Sequence, residues 1–308
     1  MQFAVTRAIR PLGQVADNIS RKLWLPSLTR SVVSVTLIFL PGFPAISTAM
    51  ETQSGNRWRA GLAGWAIPEN IVKQAPTNPW IHPPVYFQVG EVIVDSISHQ
   101  KAREVVPDGG SILDIGCGGG VAAFACVPPA TKVIGVDHQP EMLTMFAEGA
   151  KHRGVVSQNF EGFWPAIAGD IPVADVVTSH HVVYNVQDIE EFLLAMNAHA
   201  LRRVVIEMPQ QHPQHRSAPL WKHFWNLERP SKPTPQDLMK VLSEIGIKAN
   251  LELWEGHMGR NVDLDQEAYF STIRLCLPQS RQSEVKSQLE MTSQSTSRPL
   301  ATIWWDIE

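Results

Sequence analysis

Ser111-Ile-Leu-Asp-Ile-Gly-Cys-Gly-Gly-Gly120, followed by Val133-Ile-Gly-Val-Asp137, decides the fold of this chain. An apolar strand runs into a glycine-rich turn, and a second apolar strand ends on an acid. That order belongs to the nucleotide-gripping half of a doubly wound α/β sheet. The glycines let the backbone approach a ligand that side chains would exclude. Asp137 lies about 20 residues past the turn, the distance at which an acid reaches the hydroxyls of a bound ribose.

The turn itself chooses between ligands. A dinucleotide fingerprint reads G-x-G-x-x-G and seats a pyrophosphate on a helix N-terminus. Here Val121 stands where the third glycine belongs, and Asp114 sits two residues before the first. A carboxylate there repels a pyrophosphate and suits a cationic ligand such as S-adenosylmethionine, with its ammonium and sulfonium. The chain at this point resembles the class I S-adenosylmethionine-dependent methyltransferases, whose first motif reads like L-D-I-G-C-G-x-G. The resemblance extends along most of 57–306, where Leu113-Asp-Ile-Gly-Cys-Gly-Gly-Gly120, His180-His-Val-Val-Tyr-Asn-Val186, Pro219-Leu-Trp221 and Arg274-Leu-Cys-Leu-Pro278 are similar to patterns of actinobacterial methyltransferase-domain proteins. It implies a Rossmann-like α/β fold: a mostly parallel seven-stranded sheet, with the last strand antiparallel. It also implies S-adenosyl-L-methionine as cofactor, and it carries no defined acceptor.

Alternation of strands and helices predicts a mostly parallel sheet covered on both faces. Strands are expected at 111–115, 132–136, 155–160, 174–179, 203–208, 247–254 and 301–305. Helices are expected over 58–68, over 85–99 with Val89, Val92, Ile93 and Ile97 on one face, over 121–127, and around Met142, Leu143, Met145 and Phe146. A proline-rich loop is expected over 76–84.

In such a sheet the ligand lies off the carboxyl ends of the strands. The residues there are Asp114, Gly116, Gly118 and Gly120 after the first strand, Asp137 and His138 after the second, and Glu161-Gly-Phe163-Trp164 after the third. Many relatives place an acid at this third position to bind the adenine amine. Phe163 and Trp164 stand there instead, so aromatic packing and backbone bonds are expected to substitute, with Asp170 as the fallback acid. The fourth strand leads into Thr178-Ser-His-His181-Val-Val-Tyr-Asn185. His180, His181 and Asn185 form a polar cluster in an apolar context, suited to orienting an acceptor or removing its proton. His180 also counts among the cofactor contacts. After the fifth strand come Glu207, Pro209, His212 and His215, then Trp221, Phe224 and Trp225, expected to line or cover the acceptor side. His212-x-x-His215 has the spacing of a metal pair, but no further ligand stands beside it, and no metal is expected. Trp58, Trp65 and Trp80 are read as a shield against water or as plain core.

The expected activity is methyl transfer from S-adenosylmethionine to a small-molecule acceptor. The alternatives are a non-catalytic S-adenosylmethionine-binding regulatory protein and an NAD-dependent oxidoreductase. The net charge of −4 gives no electrostatic grip on nucleic acid. No Asn/Asp-Pro-Pro-Tyr/Phe signature for methylating flipped bases follows the fourth strand. The hydrophobic content of 44% suits a globular core. Three cysteines make no disulfide framework, and a reducing compartment, the cytoplasm, is expected. Cys117, within the glycine turn, reads as a small side chain tolerated in a tight loop.

The first 49 residues differ, with five Lys/Arg against one acid, Asp17. A basic region, an apolar run over 31–43 and small residues over 45–49 follow the order of a secretory signal. Pro41 interrupts a run that is short for a membrane span. A targeting signal, a membrane anchor over 31–49 and a true start at Met50 are the three readings. The expected organisation is an N-terminal extension (1–49), a helical cap (50–100) and a methyltransferase domain (101–308).

Overall fold

The computed structural model describes residues 51–79, 89–257, 263–291 and 297–308. The readings of 1–49, Met50, Trp80 and 80–88 lie outside the described residues. Within them, seven strands form one sheet: β1 (Ser111–Ile115), β2 (Lys132–Asp137), β3 (Val156–Glu161), β4 (Ala174–His180), β5 (Ala200–Pro209), β6 (Asn250–His257) and β7 (Ser297–Asp306). Their order is β3-β2-β1-β4-β5-β7-β6. β1 to β5 run parallel, and β7 inserts antiparallel between β5 and β6. The order reverses between β1 and β4, which is the topological switch point of this architecture.

The apolar runs of β1, β2, β4 and β5 are buried on both faces, as strands between two helical layers must be. Leu113, Ile115, Ile134, Val136, Val177, Val204 and Ile206 face one layer. It is made by α1 (Gln53–Ala63), α6 (Ile189–His199) and α8 (Pro235–Glu244). Ile112, Val133, Val176 and Val205 face the other. That layer is made by α3 (Ile97–Arg103), α4 (Val121–Phe124) and α5 (Pro140–His152). A third apolar cluster joins α2 (Glu69–Val72), α7 (Ala218–Trp225), α9 (Leu264–Arg274) and α10 (Gln282–Met291). Because β6 runs parallel to β5, both α7 and the α9–α10 pair leave from the carboxyl edge of the sheet. The block Arg274–Pro278 lies between α9 and α10, with the Trp225 indole donating to the Leu275 carbonyl at 2.7 Å.

Two acids fasten α1 to the sheet layer. Glu190 of α6 accepts from both the N–H and the hydroxyl of Thr52, at 3.1 and 3.0 Å. Glu244 of α8 accepts from the N–H and hydroxyl of Ser54, at 2.8 and 2.6 Å. Carboxylates thus meet the unsatisfied donors of a helix N-terminus. The Trp58 indole then donates to the Val186 carbonyl at 2.9 Å.

The expected helix over 85–99 is corrected. Residues 89–96 are not helical, and α3 begins only at Ile97. The Ser96 hydroxyl accepts from the His99 N–H at 3.1 Å, an N-cap that fixes the start. Val89 and Ile93 pack on the second core, while Val92 is 86% exposed. Their spacing fits an extended segment that touches the core intermittently as well as it fits a helix. The helix expected over 58–68 ends at Ala63, and α2 follows after a turn.

Replacing Glu190 with Ala leaves two buried donors of Thr52 without an acceptor. A loss of about 2–3 kcal/mol in urea-unfolding free energy is expected, with faster hydrogen exchange over the first turn of α1.

Candidate active site

The turn after β1 is shaped by backbone that only glycine adopts readily. Gly116, Gly118 and Gly120 have φ of 69°, 51° and 96°. A Cβ on Gly116 would stand 2.5 Å from Cγ2 of Val182, and one on Gly120 2.4 Å from the Phe124 ring. Beneath the loop, the N–H groups of Gly116 and Cys117 donate to the Val136 carbonyl at 2.8 and 3.0 Å. The Cys117 side chain is buried, and burial pushes its thiol well above the usual value. A Cβ at Gly135 would lie 2.9 Å from its sulfur, so the cysteine fills space left by a glycine in the neighbouring strand.

Asp137, at the end of β2, ties the two strand ends together. One carboxylate oxygen accepts from the Gly118 N–H at 3.0 Å, the other from the Gln139 N–H at 3.0 Å. A carboxylate has about four acceptor sites, so capacity remains for ligand hydroxyls. His138 stands at the rim with Nδ1 3.5 Å from Asp137. Its ring stacks on Phe163 at 4.9 Å.

The two aromatics expected at the adenine position part company. Phe163 is 69% exposed beside His138. The Trp164 indole instead donates to the Phe192 carbonyl of α6 at 3.2 Å and packs against the first core. Trp164 is half-buried, with its one donor satisfied on the core side. Asp170 closes a short 3-10 turn over Ala168–Asp170.

Asp114 is buried, at 1% exposure. Its carboxyl accepts from the Ala123 N–H at 3.3 Å and from the Thr178 hydroxyl at 3.2 Å. Burial pushes it up to about 7, against the pull of those two donors, and the charge of Asp137 adds to the rise. It acts from below the loop, joining β1 to α4 and β4.

The histidines after β4 occupy different surroundings. His180 is half-buried, its ring stacked on His99 of α3 at 5.4 Å. Burial, with His99 and His181 nearby, lowers it to about 3 despite Glu207. Its Nε2 has no hydrogen-bond partner among the described residues. His181 has φ of 63° and a side chain 39% exposed. Its backbone N–H donates to the Glu207 carbonyl at 2.8 Å, and its Nε2 lies 3.1 Å from Oε1 of Glu207. Asn185 ends the following 3-10 turn, exposed, with its N–H on the Val182 carbonyl at 2.8 Å.

Aromatic residues gather beside Tyr184, which stacks on the Trp58 indole at 5.9 Å and donates its hydroxyl to the Pro209 carbonyl at 2.9 Å. His212 lies edge-on to Tyr184 at 5.2 Å and stacked on Trp65 at 4.1 Å. Its Nδ1 accepts from the Gln214 N–H at 3.2 Å. Burial, with Arg229 and His215, lowers it to about 4. The Arg229 guanidinium lies over the rings of Trp65 and Trp221, at 5.1 and 5.2 Å. Trp58, Trp65 and Trp221 are all buried. Among the described residues no group of three or more His, Cys, Asp or Glu could hold a metal ion, and no helix is long and apolar enough to cross a membrane.

A family model described as a methyltransferase domain matches residues 93–252, more than half of the chain. The chain belongs to the methyltransferase-domain family, and its sheet, glycine turn and β2 acid are those of the class I S-adenosylmethionine-dependent enzymes. Among curated relatives, a ribosomal protein L11 methyltransferase of Aliivibrio salmonicida is 25% identical over 134 residues, covering 42% of this chain and 45% of that protein. The chain thus spans under half the length of the curated relatives it matches. Among solved structures, the YcgJ protein of Bacillus subtilis matches with 16% identity and a TM-score of 0.45, covering 68% of this chain and 97% of that one. A SAM-dependent methyltransferase of Archaeoglobus fulgidus matches with 16% identity and a TM-score of 0.42, covering 67% and 90%.

Asp114 binds its proton more tightly when folded than when unfolded, where 3.8 is the ordinary value. The native state therefore loses stability as pH rises from about 4 to about 7, and little beyond. Asp114→Asn is expected to flatten that fall by on the order of 2–4 kcal/mol, read from urea unfolding on either side of the window.

Proposed function

We propose that this protein transfers a methyl group from S-adenosylmethionine to a small-molecule acceptor. The observation that carries the reading is the left-handed glycine turn at the switch point, anchored through the Gly118 N–H to Asp137. A flat, side-chain-free loop beside a carboxylate suits the amino-acid and ribose parts of that cofactor. In this reading Gly116, Gly118 and Gly120 give it room, and Asp137 binds the ribose hydroxyls with its remaining acceptor sites. His138 and Phe163 pack on the adenine. Asp114 holds the loop and adds negative charge beneath a cationic ligand.

When bound, the cofactor supplies a methyl group already activated by its sulfonium, so alignment of the acceptor accounts for much of the rate. His180, His181 and Asn185 border the acceptor end, with the 212–229 aromatics alongside. The buried indole of Trp221 excludes water, and the enclosure of Trp58, Trp65 and Tyr184 favours a small acceptor. A protein acceptor is the second reading, favoured by the names of the ribosomal-protein relatives.

Calorimetric titration with S-adenosylmethionine, S-adenosylhomocysteine and NAD tests the reading. Binding of the first two is expected, weakened about 100-fold or more by Asp137→Ala, because hydrogen bonds to a charged group contribute about 1.5–3 kcal/mol each. Binding of NAD alone, or of none of the three, sinks it.

A further inference from the structure

The paired histidines invite a single assignment, but the structure gives them opposite environments. His180 stacks on His99 of α3 and buries its Nε2, which has no acceptor or donor among the described residues. His181 turns outward through a left-handed backbone and meets a buried carboxylate from the neighbouring strand. That carboxylate, Glu207, is 6% exposed. Its other oxygen accepts from the Ser96 hydroxyl at 2.9 Å, and Ser96 also caps α3. Three elements therefore converge on one imidazole: the end of β4, the end of β5 and the start of α3.

We infer that Glu207, held by Ser96, is the positioning residue that makes His181, and not His180, the proton acceptor of the transfer. The inference rests on the methyl-transfer reading above and specifies an acceptor atom that bears a proton, an O–H or N–H.

With Nε2–H donated to Glu207, the basic lone pair of His181 is on Nδ1. In the reaction the acceptor heteroatom forms its bond to the methyl carbon as the carbon–sulfur bond breaks, and sulfur keeps that electron pair. The acceptor proton moves to Nδ1. The resulting imidazolium faces the Glu207 carboxylate until its proton is lost to solvent. Burial alone would pull Glu207 up, but the hydrogen bonds it accepts from His181 and Ser96 favour its charged form, and the carboxyl lies below the ordinary carboxylate range. An ionised carboxylate is what the imidazolium needs opposite it. His180 meets none of these requirements, since burial keeps it neutral and a poor base.

A left-handed φ at a residue with a Cβ costs free energy unless the surroundings fix it. Here the His181 N–H on the Glu207 carbonyl does so. The same glutamate thus sets both the backbone and the ring of His181.

The test uses the full chain and diethyl pyrocarbonate, which acylates unprotonated imidazole nitrogen, at mildly alkaline pH with ¹⁵N-labelled histidine. In the wild type the His181 adduct is expected on Nδ1, while His180 stays unmodified. Glu207→Gln is expected to slow His181 modification about five-fold, because a neutral amide polarises the ring less than a carboxylate, and Glu207→Asp to recover part of the rate. An adduct on Nε2, an unreactive His181, or equal rates in the wild type and Glu207→Gln would overturn the assignment. The nitrogen that reacts in the wild type decides the matter even if a variant does not fold. S-adenosylhomocysteine titrated into the same samples reports separately on the cofactor reading. Its failure to bind the wild type removes the methyl transfer, whereas normal binding with an unreactive His181 removes only the dyad.

Discussion

The carboxylate of Asp137 accepting the Gly118 N–H is the contact on which the glycine turn after β1 depends. It joins a turn made almost wholly of glycine, which has no side chain to hold it, to the end of the neighbouring strand. Glycine lowers the steric cost of a left-handed turn but raises the entropic cost of ordering it. A charge-assisted hydrogen bond donated to a buried carboxylate offsets that cost. Asp114 repeats the device one strand over, tying the start of α4 to β4. Two acids, Asp137 and Asp114, therefore order the loop from below. Burial pushes Asp114 up to about 7, and the charge of Asp137 adds to the rise.

The same logic operates at the other end of the crevice. Burying a polar group costs free energy unless it is hydrogen-bonded. Glu207, His180, His99, Ser96, Ser98 and Thr302 nevertheless cluster where β4, β5 and β7 meet α3. Ser98 and Thr302 share a hydrogen bond of 2.7 Å, and the Trp254 indole donates to Thr302 at 2.9 Å. His180 and His99 offset part of their cost by stacking and by remaining neutral, since burial lowers both. The cluster ends at His181, the member that reaches the surface.

Much of this was legible in the sequence. Ile112, Leu113 and Ile115, like Val133, Ile134 and Val136, form runs too continuous for a one-faced strand, and the sheet buries both their faces. β3 was readable despite Ser157, Gln158 and Asn159, because it is an edge strand whose polar residues remain exposed or half-buried. The segment leading into α3 misled because Val89, Val92, Ile93 and Ile97 satisfy a helical period. The decisive signal was local: a serine followed three residues later by the N–H it caps. For Phe163 and Trp164 the sequence does not show which way each ring turns. Adjacent aromatics look equivalent in sequence, yet one peptide step turns the second toward the Phe192 carbonyl. The partnership of Glu207 with His181 was not legible at all. Strand register, pairing His180 with Glu207, brings it about.

That register also explains why two identical neighbours differ. Successive side chains of a strand point to opposite faces. His180 is the last residue of β4 and takes the inward position, against α3. An ordinary continuation would send His181 to the other face, among Val182 and Val183. The positive φ breaks the alternation, and the N–H of His181 closes instead on the carbonyl of Glu207. The ring is thereby swung to the carboxylate of that same residue. The turn at His181 lets a buried acid and a half-exposed base stand within 3.1 Å of one another at the carboxyl edge of the sheet.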